Sequence, residues 1–228
     1  MITRRSFIGA AVGTGALALA HGALAPAPAG AAETRTGPAR WTGDVSANGW
    51  AIDPAAIRSH RVEGAGASAA LRGGDAATVL LHIARRWHYE IAPLDTGEGG
   101  GITAHSTRRA IRADFESNYL SGTAIALHPT AYPLGGVEGL WPHHEIIVRD
   151  ILADCAGTVT WGADLTPVKA SHFHINAKPG SRTLADVAAR LGTGPHTAFR
   201  AGTAGAVEDP GAPARRVKAR REQRGRAG

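Results

Sequence analysis

The sequence has almost no cysteine and no long hydrophobic run. Cys155 is the only cysteine among 228 residues, which excludes an intrachain disulfide framework and any zinc or iron–sulfur site built from several cysteines. The apolar run that ends near Ala20 covers about 13 residues, too few to cross a bilayer core of ~30 Å as a helix. Signatures of zincin peptidases (H-E-x-x-H), serine hydrolases (G-x-S-x-G) and P-loop proteins are also missing.

The formal net charge of +6 is concentrated at the two ends of the chain. The segment 212–228 contains seven cations and one anion, and Arg4 and Arg5 add two more charges, so the remaining chain is slightly acidic. An acidic domain lacks the basic face that binds nucleic acid, and we expect no nucleic-acid partner. The basic C-terminal segment predicts retention on an anionic wall or membrane surface, with a solvated tail as the alternative.

Both ends are predicted to lie outside the folded domain. Paired arginines, an apolar run and an A-x-A-type cleavage site follow one another in residues 1–31, which predicts a twin-arginine signal peptide and an extracellular or cell-wall location. Residues 32–40 are then a linker and residues 41–200 the domain. Residues 201–228 contain so few large apolar residues that we expect a basic, disordered tail.

Hydrophobic periodicity predicts an α+β domain with a small, mainly antiparallel sheet packed by helices. The spacing and the capping residues predict helices over 75–89, 108–115, 142–155 and around 184–191, with Asp75 as the N-cap of the first. Strands are predicted over 123–128, 158–161 and 172–175. Cys155 is then a buried small hydrophobe at the end of the third helix.

Histidine is abundant, with 11 in the chain, and imidazole is the commonest zinc ligand. His172 and His174 lie two residues apart on a predicted strand, so both point to the same face. His128 ends another predicted strand. These three histidines are the candidate zinc ligands, and ordinary surface or packing positions are the alternative for each.

Four stretches resemble motifs of zinc D-alanyl-D-alanine carboxypeptidases and related phage endolysin peptidases. Residues 116–127 (ESNYLSGTAIAL) resemble S-N-H-x-S-G-T-A-I-D-L, 132–135 (YPLG) resemble H-P-L-G, 161–164 (WGAD) resemble W-G-G-D, and 171–175 (SHFHI) resemble M-H-F-E-I. The matched positions include Ser117, Asn118, Gly122, Trp161, Asp164 and His172. The resemblance implies the hedgehog/DD-peptidase fold, with a cleft that accepts peptidoglycan stem peptides.

The sequence departs from this family at the metal site. Tyr119 stands where the family has its first histidine ligand, Ala126 stands where it has an aspartate ligand, and only His172 matches. Lys169 stands where the nearest relatives have the carboxylate that acts as base. We therefore expect a catalytically degenerate protein without a cofactor, which binds peptidoglycan peptides or a wall-associated protein.

Two alternatives retain catalysis. One is an active zinc peptidase, a carboxypeptidase or endopeptidase, with a rearranged site made of His128, His172 and His174. Each shift of two strand residues moves a ligand by ~6.6 Å, and on antiparallel strands the two shifts separate the histidines. The other alternative is a different catalyst in the same cleft, with Tyr119, Lys169 or Asp164 as the acid or base.

Overall fold

The computed structural model describes residues 37–192 and 213–224. The predicted signal peptide, residues 32–36 of the linker and residues 201–212 and 225–228 of the predicted tail lie outside the described residues. The described chain forms an α+β fold, as the sequence predicts, with helices packed on small antiparallel sheets. Within the described ranges, no helix is both long enough and apolar enough to span a membrane.

The central sheet has four strands: β4 (Ile102–Thr103), β6 (Ala124–Leu127), β7 (Val159–Trp161) and β8 (His172–Ile175). Their order in the sheet is β4-β6-β8-β7, and every neighbouring pair is antiparallel. Two further pairs are antiparallel: β1 (Ala39–Arg40) with β5 (Ala110–Ile111), and β2 (Ile57–Arg61) with β3 (Ser68–Arg72). The predicted strands over 123–128, 158–161 and 172–175 are therefore present within a residue of their expected ends.

The described residues form four α-helices: α1 (Asp75–Glu90), α2 (Pro142–Asp154), α3 (Arg182–Gly192) and α4 (Pro213–Arg224). The apolar residues at four-residue spacing in α1, Val79, Ile83 and Trp87, are completely buried. The Trp87 ring meets the edge of Phe173 on β8, with ring centroids 5.9 Å apart. This helix therefore covers one side of the sheet strand that carries His172 and His174. Asp75 is the first residue of α1, and Gly74 takes the N-cap position predicted for it.

The predicted helix over 108–115 is wrong. Ala110 and Ile111 form β5, and a six-residue 3-10 helix follows over Asp114–Tyr119. Local side chains explain the difference: a Glu116 carboxylate oxygen accepts from the Arg112 backbone N–H at 2.9 Å, and the Ser117 hydroxyl donates to the Asp114 carbonyl at 2.6 Å. Such bonds compete with the regular helical pattern. The result brings Tyr119 to the start of the turn before β6.

The predicted disorder of the tail is wrong for residues 213–224, which form α4. Arg215 donates to both Asp150 and Asp154 of α2, with Nη2 at 2.9 Å from each, and its Nε also bonds Asp150. Arg86 of α1 donates to the same two aspartates, again at 2.9 Å. We call these four residues the ionic cluster. The scarcity of large apolar residues suggested disorder. The helix forms because its Arg215 is held by the carboxylates of α2, which composition does not reveal.

Candidate functional site

A cleft of about 460 Å³ opens beside β6, at the 3-10 helix that precedes this strand. Its lining combines charged, hydroxyl and small apolar residues: Thr103, Ser106, Arg108, Ala110, Ile111, Glu116, Tyr119, Ala126, Pro129 and Lys169. Three of the positions singled out in the sequence, Tyr119, Ala126 and Lys169, therefore share one cavity wall. The mixed lining suits a polar ligand with some apolar surface.

His172 lies directly behind this wall. Ala126 on β6 is the register partner of His172 on β8, and the Tyr119 hydroxyl lies 2.7 Å from His172 Nδ1. On the far side, His172 Nε2 lies 3.0 Å from His174 Nδ1. We call Tyr119, His172 and His174 the ring cluster. The prediction that His172 and His174 share a face is confirmed.

Burial keeps His172 and Tyr119 uncharged near neutral pH. Complete burial, with His174 and Lys169 nearby, holds the pKa of His172 well below its usual value. Burial and the charge of Glu116 hold the pKa of Tyr119 well above its usual value. The Tyr119 hydroxyl therefore keeps its proton, and the neutral His172, which has a single N–H, donates at one ring nitrogen and accepts at the other. Both nitrogens of His172 are thus engaged, and neither faces the cleft.

Lys169 lies in the cleft as one half of an ion pair. Its ammonium is 2.7 Å from a Glu116 carboxylate oxygen, and both side chains are largely buried. The same ammonium lies 5.1 Å from the centre of the Tyr119 ring, a cation–π distance. A fixed positive charge therefore sits beside Tyr119, balanced by Glu116.

The structure does not bring His128 to the other two candidate ligands. The Trp87 indole N–H donates to His128 Nδ1 at 2.9 Å, so Nε2 carries the proton and donates to the Pro93 carbonyl at 3.1 Å. Because β6 and β8 run antiparallel, with Ala126 opposite His172, His128 and His174 lie toward opposite ends of the strand pair. The three histidines are therefore not brought together as the rearranged site requires. In the described part of the chain, no three His, Cys, Asp or Glu residues are grouped to hold a metal ion.

Asp164 is absent from the cleft lining, and the geometry gives it no place as an acid or base there. Its two carboxylate oxygens accept from Arg149, at 2.5 and 2.6 Å. The Arg149 guanidinium in turn lies 4.5 Å above the Trp161 ring. Asp164 thus holds an arginine against a buried tryptophan.

Two of the three glycines in the matched motifs are required by close backbone approach. A Cβ on Gly162 would lie 2.1 Å from the Lys169 carbonyl oxygen. Gly122 has φ +67°, and a Cβ there would lie 2.7 Å from the Arg72 backbone nitrogen. Both positions therefore depend on glycine for shape. Gly162 in particular sets the loop that places Lys169.

Residues 46–48 hold the turn before β6 in place, and no motif or spacing in the sequence predicts this role. The side chains of Ser117 and Asn118 accept from the backbone N–H groups of Ala47 and Asn48, at 2.8 and 3.1 Å. The Asn48 amide donates to the Thr123 hydroxyl and to the Ile175 carbonyl, both at 2.8 Å. We call residues 46–48 the N-terminal strap. Ser117 and Asn118, expected in the cleft, instead support the turn from behind.

The residues at the position implied for zinc do not fit that ion. Ala126 offers no donor atom, both His172 nitrogens are engaged within the ring cluster, and the neighbouring Lys169 is a cation. Compared with family models, with curated proteins and with solved structures, the chain matches none of them. The resemblance to zinc carboxypeptidases therefore depends on the motifs in the sequence alone.

Proposed function

We propose that this chain is an exported, cell-wall-associated protein in which a D-alanyl-D-alanine carboxypeptidase-like cleft binds without hydrolysing. Its ligand in this proposal is a peptidoglycan stem peptide or the matching segment of a wall-associated protein. The hedgehog/DD-peptidase fold belongs to the proposal too. It is supported by the order of the four motif stretches and by a small antiparallel sheet that carries three of them.

The arrangement of Tyr119, Ala126 and Lys169 around His172 is the observation that carries the proposal. The positions that the resemblance assigns to two ligands and a base are adjacent in space, yet they hold a phenol, a methyl group and an ammonium. The phenol and the ammonium each have a partner within the protein, His172 and Glu116. The cleft is present but lacks the metal ligands that the resemblance implies, and this supports a function in binding over one in hydrolysis.

Metal content tests this proposal most directly. We expect far less than one zinc per purified chain after dialysis against zinc, measured by mass spectrometry. One zinc per chain that is lost in His172→Ala would contradict the proposal and favour an active peptidase. The matched gain-of-site variant is Tyr119→His with Ala126→Asp and Lys169→Glu, which we expect to bind about one zinc if the resemblance holds.

Ligand binding is the second half of the test. We expect a synthetic stem pentapeptide ending in D-Ala-D-Ala to bind, by calorimetry, and to remain uncleaved by mass spectrometry. Ala110→Trp places an indole on the cleft lining and should abolish binding. Ala55→Trp, at an exposed position outside the lining, is the matched control. Equal affinity for all three chains would place the ligand elsewhere.

A further inference from the structure

The C-terminal helix α4 turns most of its positive charge away from the domain. Arg215, Ala219 and Glu222 are its buried or partly buried residues, and their spacing of four and three places them on one face. The exposed cations occupy the rest of the circumference: Arg216, Lys218, Arg220, Arg221 and Arg224. Among the described residues, none of these five forms an ion pair.

The ionic cluster fixes the direction in which these five charges point. Arg215 is held by Asp150, whose side chain is 3% exposed, and by Asp154. Two aspartates shared by Arg215 and Arg86 leave the other cations of α4 without a counter-charge on α2. From Arg216 to Arg224 the exposed charges extend for ~12 Å along the helix axis. They form an ordered, positively charged surface.

The shape and composition of this surface favour a flat, anionic ligand. The outer side of a helix docked on a domain is convex, whereas linear polyanions bind in grooves that follow their backbone. Val217 is the only large apolar residue of α4 that is exposed, so the helix has no apolar face to insert below the headgroups. Clusters of four to eight lysines and arginines on a helix bind anionic lipid headgroups by charge.

We propose that α4 binds an anionic phospholipid bilayer while it remains docked on α2 through Arg215. The five exposed cations contact headgroup phosphates, and the domain is held at the bilayer in one orientation. This inference is independent of what the cleft binds, because it uses none of the cleft residues.

Vesicle binding tests the surface. The full chain should sediment with vesicles of equimolar phosphatidylglycerol and phosphatidylcholine, and not with pure phosphatidylcholine. Arg216→Gln with Arg220→Gln and Arg224→Gln should weaken this binding on the order of 100-fold. The matched control, Arg40→Gln with Arg61→Gln and Arg182→Gln, removes the same charge from exposed positions outside α4. An equal loss in both variants, or no loss in the first, would overturn the proposal.

Carboxylate labelling tests whether the helix stays docked. Asp150 and Asp154 should resist carbodiimide coupling in solution and equally on vesicles, because Arg215 covers them. Arg215→Gln should make both aspartates reactive while retaining the five outward cations, and it serves as the positive control. Labelling of the wild-type aspartates on vesicles would show that α4 leaves the domain, and would overturn the docked arrangement. Tighter binding to soluble polyphosphate than to vesicles would overturn the bilayer as the ligand.

Discussion

The ring cluster and the ionic cluster are both buried and polar, but they are built on opposite principles. In the ring cluster, Tyr119 and His172 remain neutral, and hydrogen bonds link Tyr119 to His172 and His172 to His174. In the ionic cluster, two guanidinium groups share two carboxylates, and Arg86 also pairs with Glu90, so each buried charge has a partner of opposite sign. The comparison shows that buried side chains of this domain are charged where each has an ion-pair partner. Where no such partner is available, as for His172 and Tyr119, the buried side chains are neutral.

Asp150→Ala should have the largest effect, because Asp150 is the most buried carboxylate of the ionic cluster and bonds both of its guanidinium groups. The substitution leaves Arg215 with Asp154 alone, and Arg86 with Asp154 and Glu90. We expect the free energy of unfolding to fall by about 3–5 kcal/mol, measured by urea denaturation. A loss below ~1 kcal/mol would mean that solvent reaches these guanidinium groups, and the contrast with the ring cluster would disappear.

Tyr119→Phe removes one hydrogen bond from the ring cluster and keeps its volume. The buried His172 Nδ1 loses its hydrogen-bond partner, which should lower the free energy of unfolding by about 1–3 kcal/mol. Tyr132→Phe is the control, because the Tyr132 ring packs against Trp87 but its hydroxyl has no role in the ring cluster. Equal stability of the two variants would show that the Tyr119–His172 bond contributes nothing.

Acidification should destabilise the two clusters in sequence. The pKa of His172 is lower in the folded than in the unfolded chain, so the unfolded state binds more protons below pH ~6.5 and stability falls from there by up to about 1.4 kcal/mol per pH unit. The pKa of Asp154 is also lowered, by hydrogen bonds and charges from His82, Arg215 and Arg86, against the effect of burial. Its contribution is complete above pH ~3.9 and is lost below it.

Urea denaturation at a series of pH values from 8 to 3 would reveal two losses of unfolding free energy, an upper step below pH ~6.5 and a lower step below pH ~3.9. The upper step should be smaller in His172→Gln, and the lower step smaller in Asp154→Asn. A single transition shared by both variants would contradict the separation of the clusters. Other histidines with lowered pKa values, His82 and His128 among them, add to the upper step without removing the difference between variants.

Asp164→Asn should have the smallest effect. The Arg149–Asp164 pair is partly exposed, with Asp164 at 40%, and such pairs contribute less than about 1 kcal/mol. Stem-peptide affinity should not change, since Asp164 is absent from the cleft lining. A large loss of affinity, with stability intact, would return Asp164 to the site.

The sequence predicted best the elements whose own residues determine them. The apolar spacing of α1, Pro142 at the start of α2 and the alternation in β6 and β8 all led to elements that are present. Segments that depend on particular side-chain bonds, local or distant, were missed. The 3-10 helix at 114–119 follows from side-chain bonds that periodicity does not register, and α4 depends on Asp150 and Asp154, more than 60 residues away.

The residues of the candidate site also fall into those that the sequence predicted and those that it did not. Strand spacing was enough to place His172 and His174 on one face, and the motif comparison brought Tyr119, Ala126 and Lys169 together. The position of His128 required the direction of the strand pair, which a single sequence leaves open. The N-terminal strap was beyond prediction, since serine, alanine and asparagine in a loop are compatible with almost any location.

The N-terminal strap also constrains the order in which the domain can be completed. Asn48 leaves the ribosome early, but its side chain bonds Thr123 and the backbone of Ile175, which are synthesised 75 and 127 residues later. Contacts of such long range form only after most of the intervening chain is available. The N-terminal strap is thus synthesised first but is among the last segments to form its native contacts. In a nascent chain that stops before β8, Asn48 lacks its bond to Ile175.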